Sequence, residues 1–271
     1  MDFNIPQDAM NEMQGAMQGE RIELPFFAPT VWWMNGQNNQ KQLVKVNGPA
    51  PYFGGWAANA DELELAPDIP PSFVKATLTN RQGQEYDVYT TRLVSVAVIA
   101  KRQKWVVDDT GRGKSHVNLL CYLASASKEK GYTPWGPVVL SGKSLSGKKI
   151  TDALSDFEKR TRTLRAQAKS IPAWFFYANL GSFGDIPVQE MAGKGDAKSP
   201  ITPCQVWLPD TITEDNLKSW FVGEDIAAAM MEFKHQAKDW LEDWKKPDQA
   251  QQAQPEPELT NYTDYPDGPM N

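Results

Sequence analysis

Three cations and a tryptophan in the middle of the chain have the types and the spacing to hold a polyanion. Lys101, Arg102 and Lys104 stand beside Trp105, at the end of the apolar run Leu93–Ala100. Arg112 and Lys114 close a turn-like segment that starts at Asp108, and a second strand-like run, His116–Ala124, returns. Beyond it a basic loop carries Tyr132, Trp135, Lys143, Lys148 and Lys149. Cations neutralise phosphates and release counterions, while ring faces stack on bases. Lys101, Arg102, Lys104, Arg112, Lys114, Lys143, Lys148 and Lys149 are therefore the candidate phosphate contacts. Trp105, Tyr132 and Trp135 are the candidate stacking residues. A solvated hairpin with a few core aromatics accounts for the same residues.

Other chemistries fail on spacing. Gly113-Lys114-Ser115 resembles the end of a phosphate loop, but that loop needs a glycine where Asp108 stands. Gly142-Lys143-Ser144 fails in the same way, with Pro137 at the required place. Gly181-Ser182-Phe183-Gly184 lacks the glycine two before the serine that a nucleophile elbow requires. Cys121 and Cys204 lie in apolar surroundings and read as buried free thiols. His116 and His235, far apart in sequence, read as structural. No nucleophile, acid–base pair or metal set assembles. The expectation is a protein that is not an enzyme and has no cofactor and no metal.

The elements around these residues read mainly as β. Phe73–Leu78 and Tyr86–Thr90 flank Asn80-Arg81-Gln82-Gly83, a good hairpin connection. Residues 92–107 suit one long bent strand, and further strand-like runs occur at 138–140, 173–177 and 204–208. Short strands with turns about every ten residues indicate an antiparallel barrel or sandwich. One helix is expected over 149–169, with an apolar stripe of Ile150, Leu154, Phe157, Leu164 and Ala168. Lys159, Arg162, Arg165 and Lys169 fall on a face beside it. A long amphipathic helix is expected over 224–246, on the stripe Ile226, Met230, Phe233, Ala237, Trp240, Leu241 and Trp244. Trp32, Trp33 and Trp56 suit core filling, with a stacking platform as the alternative.

The expected domains are a flexible leader (1–24), an OB-like β-barrel domain (25–210), a C-terminal helical segment (211–246) and a disordered acidic tail (247–271). The tail has five acidic residues and no basic one, with Tyr262, Tyr265 and Met270 as apolar handles. The net charge of −6 hides an asymmetry. Residues 75–170 hold eighteen basic and eight acidic residues, whereas 171–271 hold seven basic and seventeen acidic. That separation points to a polyanion partner for the middle of the chain. The N-terminus lacks a signal peptide's basic region and no apolar run would span a bilayer, so the expected place is the cytoplasm, away from membranes.

A basic barrel with stacking aromatics and a flexible acidic tail resembles single-stranded DNA-binding proteins, including those of bacteriophages. The resemblance is one of layout, over residues 25–170 and 247–271. It implies an OB-fold that tracks single-stranded DNA, or RNA, with little sequence specificity. It also implies a tail that recruits replication or repair proteins or competes for the groove. The long helix, for its part, suits packing on the β domain or on a copy of itself, and so a homo-oligomer. The tail differs from the bacterial form, which ends in Pro-Phe, and the strands and helix beyond residue 170 exceed a five-stranded barrel. The alternative is a non-enzymatic structural or adaptor protein, such as a virion or assembly component, contacting its partners through the long helix. Sugar binding by exposed tryptophans is a third reading that the charge asymmetry does not favour. One continuous basic face over 75–170 would favour nucleic acid, and scattered charges an adaptor.

Overall fold

The computed structural model describes residues 22–35, 45–46, 54–79, 84–107, 113–127, 131–168, 171–184, 190–192 and 199–243. Its frame is three long antiparallel strands, β6 (Leu93–Val107), β7 (Gly113–Ser127) and β8 (Gly131–Lys143). On one side of them lie β9 (Ala178–Gly181) and β12 (Gln205–Trp207). On the other lie β1 (Thr30–Asn35), β3 (Gly54–Asn59), β5 (Glu85–Thr91), β4 (Val74–Thr79) and β2 (Lys45–Val46), in that order. β1 runs parallel to β8, and every other pair in the sheet is antiparallel. A separate two-stranded ladder joins β10 (Glu190–Ala192) to β11 (Ser199–Ile201).

The expected antiparallel barrel is therefore corrected: among the described residues the sheet is open, mixed and ten-stranded, and ends on β12 and β2. The mainly β character with added helices stands. The reason lies in the long strands. The run from Val94 to Ile99 is apolar on both parities, as suits a strand covered on both faces. Val94, Val96, Leu119, Cys121, Val138 and Leu140 turn to the front, under helix α2 (Ser144–Gln167) and helix α3 (Glu214–Trp220). Ala97, Ile99, Leu120 and Val139 turn to the back, under helix α4 (Glu224–Gln236) and helix α5 (Lys238–Asp243). The segment from Ile22 to Ala28 packs on the back as well, with Phe26 and Phe233 4.7 Å apart. Layers on both faces replace closure as the way to bury the sheet.

Helix boundaries also differ from expectation. α2 begins at Ser144, five residues before the expected start, directly off the end of β8. The C-terminal stripe is divided at Ala237 between α4 and α5. Met230, Ala237 and Trp240 from that stripe are buried against the back of the sheet. Trp244 lies outside the described residues. A short helix, α1 (Ala60–Leu63), follows β3, and Glu62 there accepts the Thr30 backbone N–H at 2.8 Å. Burial raises the Glu62 carboxyl above its ordinary value.

Candidate nucleic-acid interface

Strand geometry decides which of the sequence candidates can act together. Side chains alternate between faces along a strand, and residues directly opposite on paired strands share a face. β6 carries a bulge between Val98 and Ala100, after which Ala100, Arg102 and Lys104 share the back face. Lys101, Gln103 and Trp105 share the front. Register then extends the back-face set. Lys104 pairs with His116, and His116 pairs with Lys143. One row thus crosses three strands, with its outer members about 10 Å apart at two strand spacings. The next row runs Arg102, Asn118, Ser141 and, across the parallel joint, Trp32 of β1.

Arg102 is committed to the protein. Its guanidinium lies 3.5 Å from the centroid of the Trp240 ring and donates to the Trp240 carbonyl at 2.8 Å. Asp243 lies 3.9 Å away. This contact fixes α5 beside the row, on the same face.

The remaining candidates separate. Trp105 is 42% exposed on the front face, with Lys101 exposed nearby on the same strand. Lys148 pairs with Asp152 at 2.8 Å, and Lys149 pairs with Glu190. Tyr132 and Trp135 belong to the opposite end of β8, about 30 Å from Lys143 at about 3.3 Å per residue. Both have core partners. The Tyr132 ring stacks on Tyr177 at 4.8 Å, and its hydroxyl accepts from Asn179 Nδ2 at 2.8 Å. Burial pushes its phenol upward, which the Asn179 bond partly offsets. The Trp135 indole donates to the Asp68 carbonyl at 3.2 Å. Lys114 is described in its backbone alone, paired with Val106, and Arg112 lies outside the described residues.

Among the described residues, the charges of 75–170 do not make one continuous basic face. Lys75 joins Glu64 at 3.0 Å, Arg92 donates to the Gly184 carbonyl at 2.6 Å, and Arg160 donates to the Pro209 carbonyl at 2.8 Å. Arg165 was expected on an outer basic face. It turns inward, donating to Thr161 Oγ1, Ile171 O and Glu158 O. Burial lowers its otherwise very high value.

Sequence reasoning left His116 and Asn118 out of the candidates, and it held Trp32 between core filling and a stacking platform. His116 reads alone as structural, and only register places it between two lysines. Trp32 sits half-buried on the back face, whereas Trp33 and Trp56 form an edge-to-face core pair 5.1 Å apart. Their indole N–H groups donate to Thr202 O and Leu180 O. Asn118 fell inside the second apolar run. The β alternation of residues 30–35 is the one signal that could have separated Trp32 from Trp33. Cys121 and Cys204 are buried free thiols, pushed upward by burial. Among the described residues no group of three His, Cys, Asp or Glu could hold a metal ion. No described helix is long and apolar enough to cross a membrane. The chain matches no family model, no curated protein and no solved structure.

Proposed function

We propose that this protein binds single-stranded nucleic acid, DNA in the first instance, with little sequence specificity. The observation that carries the reading is the row of Lys104, His116 and Lys143, drawn from three strands on the back of the sheet. Lysines about 10 Å apart on a rigid sheet suit contacts to separate phosphates of one strand. Trp32, one strand further, offers a ring for stacking, which is tolerant of base identity. In this reading Arg102 holds α5 in place, and the acidic tail recruits replication or repair proteins or competes with phosphate. Of the layout that resembles single-stranded DNA-binding proteins, the acidic composition of residues 247–271 supports the same assignment.

A second reading, a non-enzymatic structural or adaptor protein, is favoured by the division of the 75–170 cations between both faces. Met230, Ala237 and Trp240 are buried against the sheet, so in that reading a partner would meet the remaining faces of α4 and α5. A fluorescence titration with single-stranded oligonucleotides at several salt concentrations distinguishes the two. Binding that weakens linearly in log–log form with salt supports nucleic acid. No binding at low salt rejects it in favour of the adaptor.

A further inference from the structure

Between the last turns of α2 and the end of α3 the surface opens into a cavity of about 410 Å³. Leu164, Ala168, Ile171, Phe176, Leu217 and Phe221 wall it. Its polar rim is Gln167, Glu214 and Lys218. The Lys218 ammonium lies 3.9 Å from Glu214 and 3.7 Å from Asp215, so the cation on the rim is already opposed by two carboxylates. An apolar wall without spare positive charge selects an apolar or aromatic group and not a phosphate. The nucleic-acid reading therefore has no use for this cavity.

The chain carries a matching group. Leu259, Tyr262 and Tyr265 recur at every third position, among Pro255, Pro257, Pro266 and Pro269. A polyproline II helix has three residues per turn, so in that conformation side chains at this spacing would share one edge, about 9 Å apart. Reach is sufficient. α4 starts three residues after Phe221, and the helical run from Glu224 to Asp243 is about 30 Å long at 1.5 Å per residue. The residues from 244 to 261 span about 25 Å as a coil and about 60 Å when extended. A tether of that length holds the segment near its own cavity at roughly millimolar effective concentration.

We propose that this cavity is the docking site of the chain's own Leu259–Tyr265 segment, with a tyrosine ring seated against the paired rings of Phe176 and Phe221, which lie 5.7 Å apart. The inference is independent of the nucleic-acid reading. The test uses a labelled synthetic peptide of residues 255–271 and fluorescence anisotropy. Its acceptor is the full chain carrying Tyr262→Ala and Tyr265→Ala, which frees the cavity. The peptide binds that variant and binds the unaltered chain about tenfold more weakly, because a tethered competitor occupies the cavity. Ala168→Trp, added to the acceptor, fills the cavity and abolishes binding. Gln167→Trp overhangs the rim without touching the core, and it does the same if the first variant fails to fold. A peptide with both tyrosines replaced by alanine does not bind. Lack of binding to the freed acceptor at millimolar peptide overturns the proposal. So does binding that survives Gln167→Trp, or equal binding by the alanine peptide. Equal affinity for the freed and the unaltered chain overturns docking within one molecule.

Discussion

Lys104 and Trp105 are neighbours in sequence and face opposite sides of the sheet. The sequence identified both as candidates, and alternation already implied that one flat strand could not use them together. What it could not supply was the partner of each. His116, Lys143 and Trp32 join Lys104 through pairings set by β6–β7, β7–β8 and β8–β1, and none of these registers is readable locally. The assignment has direct consequences. Lys104→Ala and Lys143→Ala should each weaken single-strand binding for every sequence. Each should also flatten the slope of log affinity against log salt by about 0.7. Lys101→Ala, on the front face, should leave that slope unchanged, and a change equal to that of Lys104→Ala would move the site to the front. The aromatics divide in the same way. Trp32→Ala should cost about 1–3 kcal/mol of binding while the slope stays nearly intact. Trp105→Ala should leave affinity as it was. Because Trp32 is half-buried, stability and affinity have to be measured on the same protein. A Trp105→Ala variant that loses affinity while staying folded would show that the front face takes part.

The joint between β8 and α2 decides how the front layer sits. The sequence placed the start of this helix at Lys149, because the basic stretch before it, with Lys143 and Lys148, reads as a loop. The structure uses Gly147 inside the first turns for close approach instead. A Cβ added at Gly142 would stand 2.7 Å from the Gly147 Cα and 2.8 Å from its backbone nitrogen. Gly142→Ala should therefore destabilise the fold by about 1–3 kcal/mol through overpacking, read as a lower midpoint in denaturant. An unchanged midpoint would show that α2 can shift outward freely. The stripes of α2 and of α4–α5 were legible because they follow a helical period, and each packs on the sheet as a period of 3.6 requires. The break at Ala237 was not, since a stripe continues across it. A smaller joint ties α1 to the sheet. Glu64 accepts from Lys75 Nζ and from the Tyr89 hydroxyl, both at 3.0 Å. The Lys75 bond first, and then the Tyr89 bond, hold the Glu64 carboxyl below its ordinary 4.5. A carboxylate lowered in the folded state contributes stability above its unfolded value and loses it as pH falls through the folded one. The thermal midpoint of Glu64→Gln should thus lie below that of the unaltered chain at pH 7. The gap should close as the pH drops below 4.5. A gap that persists into strong acid would assign the effect to packing instead of charge.

At the scale of the whole molecule, local patterns show strands and helices, whereas closure of a sheet depends on which edges meet. Short strands at regular spacing fit a barrel and an open sheet equally. The doubly apolar run of β6 was the sign that both faces would be covered. Charge is a whole-molecule property that composition does reveal, and it bears on the acidic tail. The Arg102 contacts to Trp240 and Asp243 place the last described residue beside the basic row. The last described residue therefore lies on the same face as Lys104 and Lys143. In the nucleic-acid reading, the five carboxylates of residues 247–271 would compete with phosphate from a tethered, high effective concentration whenever the tail is not docked in its cavity. Removing those residues should tighten binding of a short single-stranded oligonucleotide. The gain should be largest near 0.01 M salt, where the Debye length is about 30 Å, and small at 0.15 M, where it is about 8 Å. Replacing the five acids with their amides in the full chain should reproduce the gain, because the effect is one of charge and not of bulk. If deletion tightens binding and the amide tail does not, the tail acts by covering the row. If neither alters affinity at any salt, the tail does not compete for the row at all.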